Sequence, residues 1–430
     1  MPTLHRRSFL KRAAAASLAF GAPAIHVRGA FGPRSANEKL NIAVVGTANR
    51  AAANIEGTLG ENIVALCDID ERYLGQAAQR FEGAKTYHDF RKMLEQPGID
   101  AVVVSTADHV HAPASVMAMK LGKHCYCEKP LAHSVHEARV VARTAREMKV
   151  ATQMGTQIHA EENYRRVVEL IKAGAIGPVR DVHVWCNKTW SQGERPKETP
   201  PVPSHLHWDL WLGPAPERPY HPTYLPANWR RWWDFGSGTL GDMACHYMDL
   251  PFWALDLRHP TSVASEGPPV HPETTPLWLI VRYEFPARGE MPACKLTWYD
   301  HDKKPDVLAE HGIPNWGSAV LFIGEKGMLL ADYGRRKLFP EEKFQDFQPP
   351  ERTIAKSIGH HAEWIKACKE GTPTTCNFDY SGALTEAVLL GNVAYRVGEK
   401  LQWDPARLKA TNCSEADRYV RREYRKGWTL

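Results

Sequence analysis

The sequence carries no surplus of charge beyond its first thirty residues. Of its 430 residues, 54 are basic and 49 are acidic, which gives a formal net charge of +5. The first thirty residues contain no acid and five basic residues, which are Arg6, Arg7, Lys11, Arg12 and Arg28. The rest of the chain is therefore neutral, and it lacks the electrostatic footprint of a protein that binds nucleic acid or an anionic membrane surface.

The sequence also lacks a disulfide framework and a long hydrophobic run. Its nine cysteines are odd in number and scattered, and Cys67, Cys186 and Cys294 fall within apolar, strand-like runs. We interpret them as small core residues, because a disulfide scaffold needs paired cysteines at regular spacings. No apolar run is long enough to cross a membrane. The length and composition are those of a globular protein with about two domains.

The first thirty residues are predicted to be a targeting segment. The stretch HRRSFLKRAAAASLAFGAPA pairs Arg6 with Arg7 ahead of Ser8–Lys11 and a short alanine-rich run, and it resembles a twin-arginine export signal. Residues 22–24 (APA) offer a cleavage site. We therefore expect residues 1–30 to be removed, the twin-arginine export machinery to be a partner, and the mature protein to be periplasmic. The alternative is a chance arginine pair in a cytoplasmic protein.

Between residues 40 and 156 the sequence alternates strand-like with helix-like stretches. The strand-like runs are NIAVV, IVALC, AVVVS, KHCYC and VATQM, and amphipathic stretches such as SVHEARVVARTAREMK separate them. Such alternation is typical of right-handed βαβ units and a parallel sheet covered on both faces. It predicts an α/β fold in which residues 38–157 form a Rossmann-like, doubly wound, NAD-binding domain.

The rhythm changes after residue 160. Strand-like runs such as VRDVHVWC and LWLIVRYEF no longer alternate with helices, and proline-rich loops separate them. This pattern predicts a second α+β domain over residues 158–400, with a large, mostly antiparallel open sheet. Its last helices either close this domain or pack back on the first one. Residues 401–430 are predicted to be a C-terminal extension.

A candidate phosphate-binding loop follows the first strand, but it lacks two glycines. In NIAVVGTANRAAAN, Gly46 takes the first position of a G-x-G-x-x-G pattern, while alanine occupies positions 48 and 51. Asn49 tolerates left-handed backbone geometry and is expected to replace a turn glycine. Arg50 is positioned to neutralise phosphate charge. The loop is either a working nucleotide site with a looser grip on the pyrophosphate or the remnant of one.

The end of the second strand favours a working site. Asp68 lies 22 residues after Gly46, where a carboxylate accepts hydrogen bonds from the ribose hydroxyls of a dinucleotide. Because a 2′-phosphate would be repelled by that carboxylate, NAD is favoured over NADP. The neighbouring Asp70 and Arg72 are the residues that would weaken this preference.

Two stretches after the fourth and fifth strands resemble one enzyme family. They are STADHVHAP, residues 105–113, and CYCEKPLA, which contains Glu128, Lys129 and Pro130. Their place in a dinucleotide-binding fold resembles the Gfo/Idh/MocA oxidoreductases, named for glucose–fructose oxidoreductase and inositol dehydrogenase. The likeness extends over nearly the whole chain after the targeting segment.

The resemblance implies roles for particular residues. It places Lys129 beside the nicotinamide and the substrate hydroxyl, with a following proline peptide that is often cis in the family. It adds Glu128 to the cofactor-binding residues and assigns Thr106 and His111 to the cofactor-side loop.

The catalytic partners are expected on a helix of the second domain. Residues 229–255 resemble the family's glycine-rich segment that leads to a D-x-x-x-H helix, in which Asp242 and His246 share one face. We assign His246 as a base, Asp242 as its orienter or as a substrate hydrogen-bond acceptor, and Lys129 as an electrostatic and proton-relay partner. Whether His246 or Lys129 takes the proton stays open. Alternatively, Asp242, His246 and Asp249 bind a divalent metal, although no further ligand set accompanies them.

These motifs predict an NAD-dependent oxidoreductase with a tightly held cofactor, which takes a hydride from a secondary alcohol of a carbohydrate or cyclic polyol. One alternative is a glycosidase that works by transient oxidation, elimination and re-reduction, as some members of the family do. Another is a non-catalytic sugar- or NAD-binding protein. Family resemblance also implies that the domain over residues 158–400 binds the substrate and that its open sheet forms the interface of a homodimer or homotetramer.

Overall fold

The computed structural model describes residues 38–191 and 193–430. The predicted twin-arginine signal over residues 1–30 lies outside this part of the chain. Among the described residues, no helix is both long and apolar enough to span a membrane.

The described chain contains two sheets and the helices that cover them. The strands are β1 (Asn41–Val45), β2 (Asn62–Cys67), β3 (Lys85–Tyr87), β4 (Ala101–Val104), β5 (His124–Cys127), β6 (Thr152–Met154), β7 (Val179–Cys186), β8 (Ser262–Glu266), β9 (Ile280–Phe285), β10 (Cys294–Asp300), β11 (Ala319–Gly324), β12 (Gly327–Ala331), β13 (Arg336–Phe339), β14 (Leu401–Asp404) and β15 (Lys409–Ala410). The α-helices are α1 (Arg50–Glu56), α2 (Glu71–Arg80), α3 (Phe90–Leu94), α4 (Asp108–Lys120), α5 (Val135–Met148), α6 (Glu162–Lys172), α7 (Trp208–Leu212), α8 (Gly238–Tyr247), α9 (Asp249–Ala254), α10 (Val307–Glu310), α11 (His360–Glu370), α12 (Phe378–Val397) and α13 (Asp417–Val420).

The first sheet has six strands in the order β3-β2-β1-β4-β5-β6, and every pair in it is parallel. The strands β1 and β4 are almost wholly buried, because helices cover both faces of a doubly wound sheet. The predicted Rossmann-like fold is therefore confirmed. The sequence analysis missed β3, which has three residues and no buried side chain.

The second sheet has the order β13-β12-β11-β7-β10-β9-β8-β14-β15 and is antiparallel except where β7 pairs with β10. It confirms the predicted α+β domain with a large, mostly antiparallel sheet. Along β9 the side chains alternate between the two faces. Val281, Tyr283 and Phe285 are buried, whereas Arg282 and Glu284 are exposed on the opposite face.

The long helix α12 packs against elements of both domains. It packs against α5 of the first domain, and it also packs against α8 and β8. Gly382 makes the close approach to α5 possible, since a Cβ there would lie 2.8 Å from the Cβ of Ala142. The late helix α12 thus joins the two halves of the chain instead of only closing the second one.

The cysteines have the structural role inferred from their positions. All nine are buried and none forms a disulfide. Burial raises the pKa of the Cys125 thiol to about 12, which keeps it protonated and unreactive.

The loops between β7 and α8 form a small aromatic core of their own. Trp208, Trp211, Tyr224, Trp232 and Phe235 pack together in it. This explains much of the tryptophan density in the sequence. The loops are anchored to the first domain by backbone hydrogen bonds that flank Leu206, one from Glu71 N to His205 O at 2.9 Å and one from His207 N to Ile69 O at 2.9 Å.

Candidate functional site

A cleft of about 470 Å³ lies at the carboxyl ends of β1, β2 and β4. Gly46, Asp68 and Ser105 follow these three strands directly and line the cleft. Open parallel sheets bind their ligands at this edge, where the strand order reverses. The volume of the cleft is in the range of cofactor-binding sites.

The loop after β1 has the geometry of a phosphate-binding turn despite its missing glycines. Gly46 has a φ of 86°, and a Cβ at this position would collide with the carbonyl oxygen of Ser105. Asn49 has a φ of 55° and precedes α1. The positive φ expected for a residue that replaces a glycine is present, but the ψ of −118° lies outside the left-handed helical region that the sequence analysis expected. Ala51 is fully buried, which fits the close packing expected at the third glycine position.

Asp68 fixes this loop in the structure. Its Oδ2 accepts hydrogen bonds from the backbone N and the Oγ1 of Thr47, both at 2.8 Å, and its Oδ1 accepts one from Asp70 N at 3.0 Å. Burial raises the pKa of the Asp68 carboxyl above its ordinary value, while these hydrogen bonds oppose the shift. The guanidinium of the nearby Arg72 forms an ion pair with the carboxylate of Asp70, with 2.8 Å between Arg72 Nη2 and Asp70 Oδ2. Contact of Asp68 with a ribose stays a prediction.

The two residues predicted for the cofactor-side loop lie at different depths. Thr106 lines the cleft. His111 is buried beneath it, with Nδ1 2.7 Å from Pro130 O and Nε2 3.0 Å from Thr106 O. The structure therefore corrects its assignment. Because carbonyl oxygens occupy both ring nitrogens, His111 ties the loop after β4 to the loop after β5 and does not line the cleft, whereas His109 does.

Side chains from distant parts of the chain cover the outer side of the cleft. Apolar and aromatic ones that were not identified from the sequence include Leu206, Leu210, Trp211, Tyr220, Leu225 and Trp428. The last lies near the C-terminus, where the guanidinium of Arg91 stacks 4.2 Å from its ring centroid. The proline-rich loops and the C-terminal extension thus enclose the nucleotide cleft.

A second cavity of about 320 Å³ adjoins the cleft, with which it shares Arg50, Ser105, Thr106, Trp229 and Arg230. We call it the chamber. Its charged lining residues are Arg50, Glu128, Lys129, Lys188, Arg230 and Asp242, and they are accompanied by Trp190, Trp229 and His246. The structure thus brings together all three residues that were predicted to be catalytic.

Lys129 and Asp242 form a nearly buried ion pair in the chamber. The Lys129 Nζ lies 2.6 Å from Asp242 Oδ1 and 2.8 Å from Asp242 O, and the two side chains are 11% and 4% exposed. The peptide bond between Lys129 and Pro130 is cis. The cationic neighbours of Asp242, of which Lys129 has the largest effect, hold the pKa of this carboxyl well below its usual range.

His246 faces the chamber from the same helix as Asp242, but it is not bound to it. Its Nδ1 is buried and has no hydrogen-bond partner among the described residues. The prediction that Asp242 orients His246 is therefore wrong, because the donors of Lys129, Lys188, Trp190 and Arg230 occupy both oxygens of the carboxylate. Burial and the nearby Lys129 lower the pKa of His246 to about 3, so that the imidazole is neutral but only a weak proton acceptor, because a general base works best with a pKa near the working pH.

Glu128 joins the floor of the chamber to the nucleotide loop. Its Oε1 accepts hydrogen bonds from Arg50 Nε at 3.0 Å, Asn54 Nδ2 at 2.9 Å and Gln157 Nε2 at 3.0 Å. Burial opposes ionisation, but these donors and the charge of Arg50 leave the pKa of Glu128 below its ordinary value. In the structure Arg50 is therefore the partner of Glu128, and its predicted contact with phosphate stays a prediction.

Asp249 lies outside the chamber, contrary to the metal alternative. It is fully buried, and its carboxylate accepts hydrogen bonds from His159 Nδ1 at 2.9 Å and from the hydroxyl of Tyr380 at 2.8 Å. The helix α8 ends at Tyr247 and α9 begins at Asp249. The side chain therefore does not continue the face that carries Asp242 and His246.

The parallel sheet, the turn at Gly46 and the acid that ends the second strand together define a dinucleotide-binding protein of the Rossmann class. Comparison with protein families identifies it further. The model of the GFO_IDH_MocA oxidoreductase family for the NAD-binding Rossmann fold matches residues 40–156, and the family's C-terminal alpha/beta domain matches residues 165–305. Since these matches cover more than half of the chain, it belongs to the Gfo/Idh/MocA oxidoreductase family, and its first domain binds NAD.

Known relatives match the chain in part. Inositol 2-dehydrogenase of Rubrobacter xylanophilus is 31% identical over 149 residues, which are 34% of this chain and 43% of that protein. Levoglucosan dehydrogenase of Pseudarthrobacter phenanthrenivorans is 24% identical over 185 residues, 43% of this chain and 40% of that protein. The matched segments thus span about two fifths of these relatives. The crystal structure of GenD2 from gentamicin A biosynthesis in complex with NAD superimposes with a TM-score of 0.60 at 21% identity and covers 87% of this chain and all of that one, which supports the fold.

Proposed function

We propose that the protein is an NAD-dependent oxidoreductase that takes a hydride from a secondary alcohol of a carbohydrate or cyclic polyol. The observation that carries the proposal is the Lys129–Asp242 pair in a chamber that adjoins the nucleotide cleft. An ammonium and a neutral imidazole beside a reacting alcohol are the groups this chemistry requires. Inositol and levoglucosan dehydrogenases among the relatives are consistent with such a substrate class.

Each group in the chamber has a definite part in this proposal. NAD, when bound, accepts the hydride with both electrons of the substrate C–H bond. The hydroxyl proton passes to His246, which is the neutral ring in the chamber but a weak base at its low pKa, or is relayed through Lys129. The Lys129 ammonium hydrogen-bonds the substrate oxygen as negative charge develops on it, and the ionised Asp242 fixes the position of that ammonium. The C–O single bond of the alcohol becomes a carbonyl double bond, and the hydride and the proton together account for both hydrogens that the substrate loses.

We further propose that the enzyme is exported through the twin-arginine route and retains its NAD during turnover. The support is the pair Arg6–Arg7 in the sequence and the apolar side chains over the cleft. A protein outside the cytoplasm has no pool of soluble NAD to exchange with, so that a retained cofactor is regenerated on the enzyme by a second carbonyl compound. The homo-oligomeric state is a proposal from family resemblance alone.

The hydrolytic alternative places a further demand on the chamber. Elimination and re-addition across a glycosidic bond require a further acid or base near the sugar ring. Among the described residues that line the chamber there is no tyrosine, and cations hold both carboxylates, Glu128 and Asp242.

The test begins with the cofactor. The mature protein is purified without added nucleotide and denatured, and the released nucleotide is identified by mass spectrometry, with near-stoichiometric NAD expected. A panel of sugars, polyols and glycosides is then scored for net oxidation and for net hydrolysis. Release of aglycone without a carbonyl product would favour the glycosidase. Full turnover in both Lys129→Ala and His246→Ala would show that the site assignment is wrong, whereas an empty protein that also fails to bind added NAD would favour a non-catalytic binding protein.

A further inference from the structure

The chamber holds more positive than negative charge. Four of its lining side chains are cationic and two are carboxylates. Arg50 and Glu128 are paired at 3.0 Å, which leaves Asp242 to balance three cations: Lys129 at 2.6 Å, Arg230 at 3.0 Å and Lys188 at 3.2 Å. The buried Asp108 does not line the chamber, and burial raises its pKa to about 7, so that it offsets at most one further charge. A positive excess remains in either case.

The carboxylate of Asp242 has no free hydrogen-bond acceptor site left for these cations. Its Oδ1 accepts from Lys129 and Arg230, and its Oδ2 accepts from Lys188 and from Trp190 Nε1 at 2.6 Å. A carboxylate offers about four acceptor sites, and all are used. The guanidinium of Arg230 donates through Nε and Nη1 to described residues, which leaves its Nη2 for a ligand.

The two cations that the second domain contributes, Arg230 and Lys188, both stack on tryptophan rings. The guanidinium of Arg230 lies 4.2 Å from the ring centroid of Trp229 and 5.4 Å from that of Trp190. The Lys188 ammonium lies 5.0 Å from the ring centroid of Trp190. Stacking on indole rings fixes their orientation and lowers the entropic cost of binding an anion.

We propose that the substrate is a sugar acid, whose carboxylate pairs with Arg230 and Lys188 while a neighbouring hydroxyl contacts Lys129. This inference rests on the proposed function and names its substrate class. An arginine fork fits the two oxygens of a carboxylate, and one negative charge is within the excess that the chamber leaves unbalanced. Because Asp242 contacts all three cations, the carboxylate lies within one sugar ring of the carbon that is oxidised.

The test compares matched pairs of sugars on the NAD-loaded protein. Glucuronate is paired with glucose, galacturonate with galactose and mannuronate with mannose, and glucose 6-phosphate serves as a second anion. Reduction of the bound NAD is followed by its near-ultraviolet absorbance, and binding is measured separately by calorimetry. We expect the acid of at least one pair to bind about 10- to 100-fold more tightly than its neutral partner, which is the effect of one charge-assisted hydrogen bond.

Variants assign the effect to the named residues. Lys188→Gln and Arg230→Gln are expected to bring the ratio of the KM for a neutral sugar to the KM for its matched acid close to one. Lys303→Gln is the matched control, since Lys303 also stacks on a tryptophan, Trp278, at 4.8 Å but does not line the chamber. The comparison in the wild-type protein decides the inference even where a variant fails to fold.

The outcomes separate this inference from the proposed function. Acids that bind tightly without reducing NAD would support the inference and contradict the proposed oxidation. Neutral sugars that are oxidised as well as the acids would overturn the inference and leave the proposed function standing. Tight binding of the sugar phosphate alone would overturn the carboxylate assignment, and a protein that neither binds nor oxidises any member of the panel would contradict both.

Discussion

The Nζ of Lys129 lies 2.6 Å from Oδ1 of Asp242, and the two residues come from different domains. Lys129 follows β5 of the Rossmann sheet, whereas Asp242 lies on α8 of the second domain. An ion pair this deeply buried is costly unless further hydrogen bonds satisfy it, and Asp242 receives them from Lys188, Trp190 and Arg230. The pair therefore sets the position of the Lys129 ammonium in the chamber.

Replacing Lys129 by methionine is expected to lower kcat by about 10²- to 10⁴-fold, the usual contribution of one group that transfers or stabilises a proton. Methionine keeps an unbranched stem of similar length but has no charge to place beside the substrate oxygen. The measurement is steady-state turnover together with the NAD content of the purified protein. Lys366→Met on the exposed side of α11 is the control, and it should keep wild-type turnover. Equal kcat in Lys129→Met and wild type would remove Lys129 from the mechanism.

Gly46→Ala is expected to abolish retention of NAD, whereas Ala48→Gly is expected to preserve or strengthen it. An alanine at position 46 would have to hold a φ near 86° and would collide with the carbonyl of Ser105, which follows β4. A glycine at position 48 removes only a methyl group from the side of the loop that faces the cleft. The check is the nucleotide released on denaturation, quantified per protein chain. Retention of NAD by Gly46→Ala would show that the turn does not hold the pyrophosphate.

Local sequence was sufficient to predict the Rossmann sheet and its turn. Each strand from β1 to β6 except β3 has its own apolar run, and the residues at the strand ends follow from parallel pairing. A positive φ at Asn49 was predictable because asparagine accepts it more readily than most residues besides glycine, whereas its ψ of −118° was not predicted. In each of these cases one short segment of the sequence is enough to make the prediction.

The chamber was only partly predictable because its parts are distant in sequence. Lys188 and Trp190 reach Asp242 from more than 50 residues away, and no local pattern distinguishes them from other loop residues. The metal alternative placed Asp249 beside Asp242 and His246, and this placement is wrong for a local reason. Pro251 has no backbone N–H to continue the hydrogen bonds of α8, so a new helix starts at Asp249 with a different face.

Trp428→Ala is expected to speed the release of bound NAD by about tenfold or more. The Trp428 side chain lines the nucleotide cleft, is only 9% exposed and packs on Phe90 and Arg91. Its loss opens the cleft at a point where the C-terminal extension now covers it, and about 1.4 kcal/mol of lost contact corresponds to a factor of ten. The measurement is the rate at which NAD exchanges with labelled nucleotide. The partly exposed Trp278 offers a control, because Trp278→Ala should leave that rate unchanged.

Acidification below pH 6.5 is expected to destabilise the protein through its buried histidines. Burial lowers the pKa of His360 to about 3, and the geometry requires a neutral ring, since Nε2 donates to Met154 O at 2.9 Å while Nδ1 accepts from Gln153 at 3.3 Å. Burial lowers the pKa of His109 to about 3 as well. Between pH 6.5 and 3 the unfolded chain takes up protons that the folded chain does not, so the free energy of unfolding falls by about 1.4 kcal/mol per pH unit for each such histidine.

Urea unfolding at pH 7, 6 and 5 measures this slope, and His360→Gln isolates one contribution to it. Glutamine keeps an N–H donor for the Met154 carbonyl and does not titrate, so the variant should lose stability less steeply with acid than the wild type does. The exposed His311 provides the comparison, because His311→Gln removes a histidine that is not buried and should leave the slope as it is. If His360→Gln and the wild type have the same slope, the imidazole of His360 is already charged in the folded protein at pH 7, and its contact with the Met154 carbonyl is that of an imidazolium.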